Sequence, residues 1–202
     1  MDTLVNIMVG RKKYLMDKFF KENGYLCIKN AFSREELNPI IELTLATHWN
    51  PQKRKLKLLK GDSADLPLYP FSSNIIPISN KIENIFKKKV GVYLTPTMFQ
   101  LRAYFNGSSL EKHYDKKPFY YNCSFHISNV NSKSPWPLHF IGLNGKEFEI
   151  LQNPGDIVIY DGVKVEHWRD KFDGGIWYQL LLAYDEKKRT KPIIFNKKTL
   201  GK

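Results

Sequence analysis

The chain of 202 residues has the length of a single domain, and with 42% apolar residues it can bury a sizeable core. This composition excludes an intrinsically disordered chain, and two cysteines are too few for a disulfide scaffold. No apolar run approaches the roughly 18 residues of a membrane-spanning helix, so we expect no membrane partner. In the first residues an acid precedes the apolar stretch, unlike in a secretory signal, so we expect a cytoplasmic protein.

The net charge of +12 is concentrated in three segments that contain no acidic residue. Residues 51–61 hold five basic side chains, Lys87–Lys89 three and residues 187–202 seven, which leaves 17 basic residues against 20 acidic ones elsewhere. A basic periphery can attract nucleic acid or an acidic substrate, or it can be solvated surface alone. We expect solvated surface, and nucleic acid stays an alternative partner.

The first ninety residues have the apolar spacing of helices. Tyr14, Leu15 and Phe19 recur at helical intervals, so we predict a helix that ends at Asn23-Gly24. A short strand is expected to follow at residues 25–28, where four apolar residues stand together.

Two further helices and a loop are predicted before residue 94. Ser33 and Glu36 have the spacing of a capping box, which places a helix start at Ser33. Asn38-Pro39 is an alternative start, because proline suits the first turn of a helix better than its interior. Residues 50–75 are polar and contain proline, so a loop is expected there, and Ile78 to Phe86 form an amphipathic helix.

From residue 94 the sequence pattern is typical of a β-protein. Short runs rich in β-branched and aromatic residues alternate with turn residues such as Asn106-Gly107 and Asp161-Gly162. This spacing favours a β-sandwich or barrel, with the helices packed on one face. The predicted strands cover residues 97–105, 120–128, 136–141, 146–151, 156–160, 163–169 and 176–184.

A candidate metal site is formed by His113, Asp115 and His167. In an extended segment the side chains of residues i and i+2 point to the same side, roughly 7 Å apart along the chain, so His113 and Asp115 can bind one ion. His167 lies 54 residues downstream, in a further predicted strand that can deliver it to the same place. Two histidines and one carboxylate form a facial set that suits iron(II) and leaves three coordination positions open.

Together these stretches resemble the iron(II)/2-oxoglutarate-dependent dioxygenases, in order and spacing, over residues 24–185. The matching pieces are the segment 24–33, Leu101-Arg-Ala-Tyr104, Asn106-Gly107, Leu110, His113-x-Asp115, the strand 122–127, Trp136-Pro137, Pro154-Gly-Asp156 and His167-Trp-Arg169. The resemblance implies a double-stranded β-helix, or jelly roll, with iron held at its wide end. It also implies that the cofactors are iron(II), 2-oxoglutarate as cosubstrate, and dioxygen.

The chain departs from the family where 2-oxoglutarate is clamped. The family usually supplies an Arg or Lys nine to eleven residues after the second histidine, and residues 176–178 are Ile, Trp and Tyr. Arg169 is the expected substitute, because it lies two residues after His167 on the same strand face and guanidinium binds carboxylate bidentately. Tyr104, Arg102 and Gln179 are further candidates for cosubstrate binding.

We therefore predict one oxygenase domain over residues 1–202, mainly β with supporting helices. Residues 1–93 are expected to be mostly helical support, 94–185 a jelly-roll core and 186–202 a basic tail. The expected activity is hydroxylation of a peptide, a nucleotide or a small molecule. Two alternatives stay open, namely a cupin-like metalloenzyme that does not use 2-oxoglutarate, and a non-catalytic barrel that binds nucleic acid.

Overall fold

The computed structural model of the protein describes residues 16–46, 63–68, 75–132 and 135–186. The basic segments 51–61 and 187–202 lie outside these ranges, as do Tyr14 and Leu15. The described helices are α1 (Lys18–Asn23), α2 (Arg34–Ala46) and α3 (Ile76–Lys89). The described strands are β1 (Tyr25–Ile28), β2 (Ser63–Leu68), β3 (Leu94–Phe105), β4 (Leu110–His113), β5 (Tyr121–Ser132), β6 (Leu138–Ile141), β7 (Glu147–Ile150), β8 (Ile157–Asp161), β9 (Glu166–Arg169) and β10 (Gly174–Glu186).

Two antiparallel sheets are formed by these strands. The larger sheet has the order β1-β8-β5-β10-β3-β2, and the smaller sheet has the order β4-β9-β6-β7. From β3 onward the chain crosses repeatedly between the two sheets, which is the connectivity of a double-stranded β-helix. The predicted fold class is therefore confirmed, and each of the seven predicted strands overlaps an observed one.

The larger sheet buries both of its faces. Successive side chains of a strand point to opposite faces, and β8 shows the result. Ile157 and Ile159 join the core that contains the helices, whereas Val158 and Tyr160 pack with Phe140 of the smaller sheet. A strand that is buried on both faces has to be apolar along its length, which is why residues 157–160 are a continuous apolar run.

The helices cover the face of the larger sheet that is turned away from the smaller one. Leu37 and Ile40 of α2 and Ile82 and Phe86 of α3 are buried against this face, as the predicted helical stripe requires. None of the described helices has the length and apolarity needed to cross a bilayer.

The start of α2 is set by a capping box. The backbone N–H of Ser33 donates to the Glu36 carboxylate at 2.8 Å, and the N–H of Glu36 donates to the Ser33 hydroxyl at 3.4 Å. The alternative start at Asn38-Pro39 is wrong, since Pro39 lies inside the helix. The two capping bonds satisfy N–H groups at the terminus, while Pro39 forgoes a single helical hydrogen bond.

The prediction of a loop over residues 50–75 is wrong for Ser63–Leu68, which form β2. This strand pairs with β3 at the edge of the larger sheet. An edge strand has one neighbour, so it tolerates Pro67. The first 93 residues thus contribute β1 and β2 to the larger sheet in addition to the three helices.

Candidate metal centre and cavity

His113 and Asp115 lie at the end of β4 and just beyond it. The backbone N–H of Asp115 donates a 2.8 Å hydrogen bond to the carbonyl oxygen of Gly162, which ties this segment to the end of β8. The Nε2 atom of His113 then lies 3.6 Å from Oδ1 of Asp115. Both side chains remain partly open to solvent, with exposed fractions of 36% and 21%.

His167 reaches the same place from β9. It pairs with His113 across the two antiparallel strands, and the centroids of the two imidazole rings are 4.3 Å apart. Its Nε2 atom lies 3.6 Å from Oδ2 of Asp115. In contrast to His113, the side chain of His167 is buried, and it packs edge-on against the ring of Tyr160.

Both histidines are fixed by a hydrogen bond on the far side of the ring. Nδ1 of His113 lies 2.7 Å from the carbonyl oxygen of Glu111, and Nδ1 of His167 lies 3.1 Å from that of Val165. A carbonyl oxygen can only accept, so each Nδ1 carries the proton and donates. Each Nε2 therefore directs its lone pair at the cluster, as a metal-binding histidine requires.

The donor set fits a divalent metal ion. One ligand atom from each of His113, Asp115 and His167 lies within 4.8 Å of the other two. Burial lowers the pKa of His167 to about 4, so this imidazole is neutral at physiological pH. The Asp115 carboxylate raises the pKa of His113 above its usual value of 6.5, and a metal ion has to displace that proton.

The cluster opens into a cavity between the two sheets. Its volume of about 200 Å³ is several times the roughly 30 Å³ that a water molecule occupies, so it can hold a small organic ligand. Apolar walls come from residues such as Leu138 and Leu182. The cavity is also lined by the three candidate metal ligands and by all four residues that we predicted to bind the cosubstrate, namely Arg169, Tyr104, Arg102 and Gln179.

Arg169 is the most buried charge in the cavity. Its exposed fraction is 2%, and its guanidinium donates to the carbonyl oxygen of Trp136 and, at 3.1 Å each, to the side-chain oxygens of Gln152 and Gln179. Burial lowers its pKa to about 10, which leaves it charged at neutral pH. Among the described residues no carboxylate forms an ion pair with Arg169, since Glu166 pairs with Lys112 and Asp170 with His139.

Neutral side chains hold this guanidinium in place. Gln152 donates through Nε2 to the Ser124 carbonyl oxygen at 2.9 Å and accepts from the Ser124 hydroxyl at 3.1 Å. Gln179 donates to the same hydroxyl. Both amide oxygens are thereby turned toward Arg169, and the positive charge is oriented but not neutralised.

Tyr104 and Arg102 lie on β3, beside the metal cluster. Nη1 of Arg102 donates to the Tyr104 hydroxyl and Nη2 to the Gln100 side chain, each at 3.3 Å. Strand β2 places Asp65 opposite Arg102 in register. Tyr104 is buried, with Trp136 packed against the edge of its ring.

Five site residues were not predicted from the sequence. Tyr160 lines the cavity with a hydroxyl whose pKa burial raises, so it stays protonated and can donate. Asn122 and Gly162 contact Asp115, and Gln152 and Ser124 hold Arg169. Strand alternation offered one signal, because Asn122, Ser124 and His126 are polar residues that alternate with apolar ones in the first half of β5. Gln152 is in a loop, and nothing in the sequence marks it.

No protein-family profile and no curated protein sequence matches this chain. Solved structures do. A prolyl hydroxylase from Trichoplax adhaerens, in complex with a hypoxia inducible factor peptide, has a TM-score of 0.67 and 14% identity, over 83% of this chain and 86% of its own. The viral collagen prolyl hydroxylase of Paramecium Bursaria Chlorella virus-1, in complex with 2-oxoglutarate, has a TM-score of 0.61 and 14% identity, over 82% and 97%.

A third similar structure is the epimerase SnoN of nogalamycin biosynthesis, a non-heme enzyme dependent on alpha-ketoglutarate. Its TM-score is 0.67 at 10% identity, over 82% of this chain and 80% of its own. At such identities the likeness concerns the fold. The chain therefore folds as the double-stranded β-helix of the 2-oxoglutarate oxygenases, as its resemblance to them implied, and carries within that fold a three-residue cluster able to hold a metal ion.

Proposed function

We propose that the protein is an iron(II)- and 2-oxoglutarate-dependent oxygenase of the hydroxylase type. One observation carries the proposal. A facial set of metal ligands and a buried guanidinium with no carboxylate partner among the described residues line the same small cavity. A metal ion and a fixed cation in one cavity suit a ligand that is a chelator at one end and a carboxylate at the other.

The charges support a dianionic ligand. Iron(II) bound by Asp115 and two neutral imidazoles retains a net charge of about +1, and Arg169 adds a second positive charge in the same cavity. The two carboxylates of 2-oxoglutarate balance both. A monoanion would leave one buried charge uncompensated, which is costly in an interior of low dielectric.

In this proposal each group of residues has its own task. His113, Asp115 and His167 hold the metal, and the carbonyl oxygens of Glu111 and Val165 keep both imidazoles in the binding tautomer. Arg169 receives the far carboxylate, with Tyr104 as an additional hydroxyl donor. The apolar walls exclude water, which strengthens every charge interaction inside. When bound, iron(II) supplies the activation of dioxygen that is coupled to decarboxylation of 2-oxoglutarate.

For the primary substrate we propose a peptide as the class to test first. Two of the similar structures are prolyl hydroxylases, and one of them was solved with a peptide. Nucleotides and small acids are the other classes to be compared in the same assay.

Metal analysis followed by oxygen consumption tests the proposal. We expect the purified protein to bind one iron(II) per chain and to consume oxygen only when 2-oxoglutarate is present, with succinate formed in proportion. Oxygen consumption that is independent of 2-oxoglutarate would instead identify a cupin-like metalloenzyme. A protein that binds no metal but binds nucleic acid, with an affinity that falls steeply between about 50 and 200 mM salt, would identify the non-catalytic barrel.

A further inference from the structure

Asn122 and Gly162 enclose the carboxylate of Asp115. Nδ2 of Asn122, on β5, donates a 2.8 Å hydrogen bond to Oδ2 of Asp115. Gly162, the residue after β8, accepts from the backbone N–H of Asp115 through its carbonyl oxygen at 2.8 Å. The end of β8 thus binds the backbone of Asp115, and β5 binds its carboxylate.

Glycine is required at position 162 by close approach. A Cβ atom on Gly162 would lie 2.3 Å from Oδ2 of Asp115 and 2.1 Å from Nδ2 of Asn122. Both distances are far below van der Waals contact, so any side chain would push the amide and the carboxylate apart. The hydrogen bond between Asn122 and Asp115 occupies the space that a side chain at 162 would fill.

The amide of Asn122 has a single satisfactory orientation. Its Nδ2 donates to Asp115 and also, at 3.3 Å, to the carbonyl oxygen of Phe119, so both of its hydrogens face acceptors. Rotation of the amide by 180° would place its oxygen against the carboxylate and against that carbonyl. Asn122 is 7% exposed, so water cannot readily replace the lost bonds.

We propose that Asn122 is a positioning residue that keeps Asp115 a one-oxygen metal ligand, and that Gly162 provides the space for this contact. The inference rests on the proposed function. Iron(II) held by three protein ligands would leave three coordination positions for the chelating cosubstrate and dioxygen. If Asp115 bound through both oxygens it would occupy one of them. The hydrogen bond to Oδ2 opposes that, because the oxygen shares its electron density with the amide.

The test compares Asn122→Leu with Asn144→Leu. Leucine matches asparagine in size but cannot donate. Asn144 is the matched control, because its Nδ2 also donates a 2.8 Å side-chain hydrogen bond, to Asn23 and away from the cavity. The metal-free proteins are titrated with Co(II) under visible absorption, whose intensity reports the coordination number, and the loaded proteins are then titrated with 2-oxoglutarate. Far-UV circular dichroism and thermal unfolding of the metal-free forms check the fold.

For Asn122→Leu we expect the visible Co(II) absorption to weaken, because binding through the second oxygen raises the coordination number. The dissociation constant of 2-oxoglutarate should rise about 10-fold or more, because that oxygen takes one of its positions. Asn144→Leu should match the wild type in both. Gly162→Ala, which removes no functional group, should change the spectrum in the same direction as Asn122→Leu. Wild-type affinity and spectrum in a folded Asn122→Leu protein would overturn the inference.

A measurement on the unaltered protein provides an independent test. A crystal structure with Mn(II) in which Asp115 binds the metal through both oxygens would overturn the inference, and one-oxygen binding with the Asn122 contact intact would support it. The two proposals can fail separately. If the wild type binds no Co(II), the proposed function fails as well, whereas normal wild-type binding with an unaffected Asn122→Leu variant removes only the role of Asn122.

Discussion

The two charged ends of the cavity are built differently. At the metal end, His113 and Asp115 are partly exposed and stand at the end of the short strand β4. At the other end, Arg169 is buried and held by amide side chains from a loop and from β10. The metal end is accessible from solvent and the guanidinium end is closed.

This difference matches the tasks that we propose for the two ends. A metal site has to be loaded from solvent and has to admit a substrate, so at least part of its ligand set needs exposure. A carboxylate clamp gains strength from burial, because charges interact more strongly where water is excluded. The burial of Arg169 is tolerable only with oriented oxygen acceptors around it, and Trp136, Gln152 and Gln179 supply these.

The largest effect is expected from the loss of a ligand at the metal end. His167→Ala removes one of three donors, so iron retention and turnover should be abolished, as they should for His113→Ala. Metal content after gel filtration and 2-oxoglutarate decarboxylation are the measurements. His139→Ala, a buried histidine on the neighbouring strand outside the cluster, should retain metal. Decarboxylation at the wild-type rate in His167→Ala would refute the assignment of the ligands.

Substitution of Arg169 should weaken cosubstrate binding and leave metal binding intact. Arg169→Ala leaves the far carboxylate of 2-oxoglutarate without its charged partner, which typically costs about 2–5 kcal/mol. The KM for 2-oxoglutarate should therefore rise roughly 30-fold or more, while iron affinity stays nearly unchanged. Arg169→Lys should recover part of the loss, since the charge remains but the bidentate fork does not.

Arg102→Ala provides the comparison for Arg169→Ala, because both guanidinium groups line the cavity and only Arg169 is fully buried. We expect a smaller increase in KM for Arg102→Ala. A crystal structure in which the far carboxylate meets Arg102, with Arg169 out of contact, would reverse the assignment of the clamp.

The pH dependence of metal binding should distinguish the two histidines. The pKa of His113 is raised above 6.5 by Asp115, whereas burial lowers that of His167 to about 4. As the pH falls below the pKa of His113, one proton competes with the metal, and the Co(II) dissociation constant should rise about tenfold per pH unit. His167 adds a second proton only near pH 4. Titrations between about pH 5 and 7.5 measure this slope, and a two-proton slope across that range would contradict the difference in burial.

The smallest effect is expected for Tyr104→Phe. If the Tyr104 hydroxyl donates to the cosubstrate, its removal costs about 1 kcal/mol and should raise the KM for 2-oxoglutarate roughly fivefold. Tyr178→Phe is the control, since Tyr178 is also buried on the larger sheet but faces the helix-covered core. Equal KM values for Tyr104→Phe and the wild type would show that the Tyr104 hydroxyl does not bind the cosubstrate and that the ring only packs in the cavity wall.

The fold could be predicted from the sequence where local rules act. Strand alternation and turn residues located the seven strands, and the Ser33–Glu36 spacing located the start of α2. β2 was missed although Ala64, Leu66 and Leu68 alternate with other residues, because Pro67 inside this short run indicates a loop or an edge strand. Its pairing with β3 is a tertiary contact that no short window of sequence contains.

The residues of the candidate site that could be predicted are likewise those that local spacing brings together. His113 and Asp115 are two residues apart, and Arg169 follows His167 by two, so strand geometry could bring each pair to one face. Gln152 is 17 residues from Arg169, and Gly162 is 47 residues from Asp115. Such contacts depend on how the strands pair. Neither a polar loop residue nor a glycine after a strand carries a local pattern that distinguishes it from an ordinary turn.

The attachment of the two histidine rings has a consequence for protein design. Each ring is anchored to the carbonyl oxygen two residues earlier in the chain, at Glu111 and at Val165 just before β9, and the two strands set the rings side by side. The orientation and the tautomer of both imidazoles thus depend on two three-residue segments and on the antiparallel pairing of the two histidines. Grafted onto adjacent strands of an artificial β-barrel, these two segments should supply two pre-oriented metal donors before any supporting network is designed.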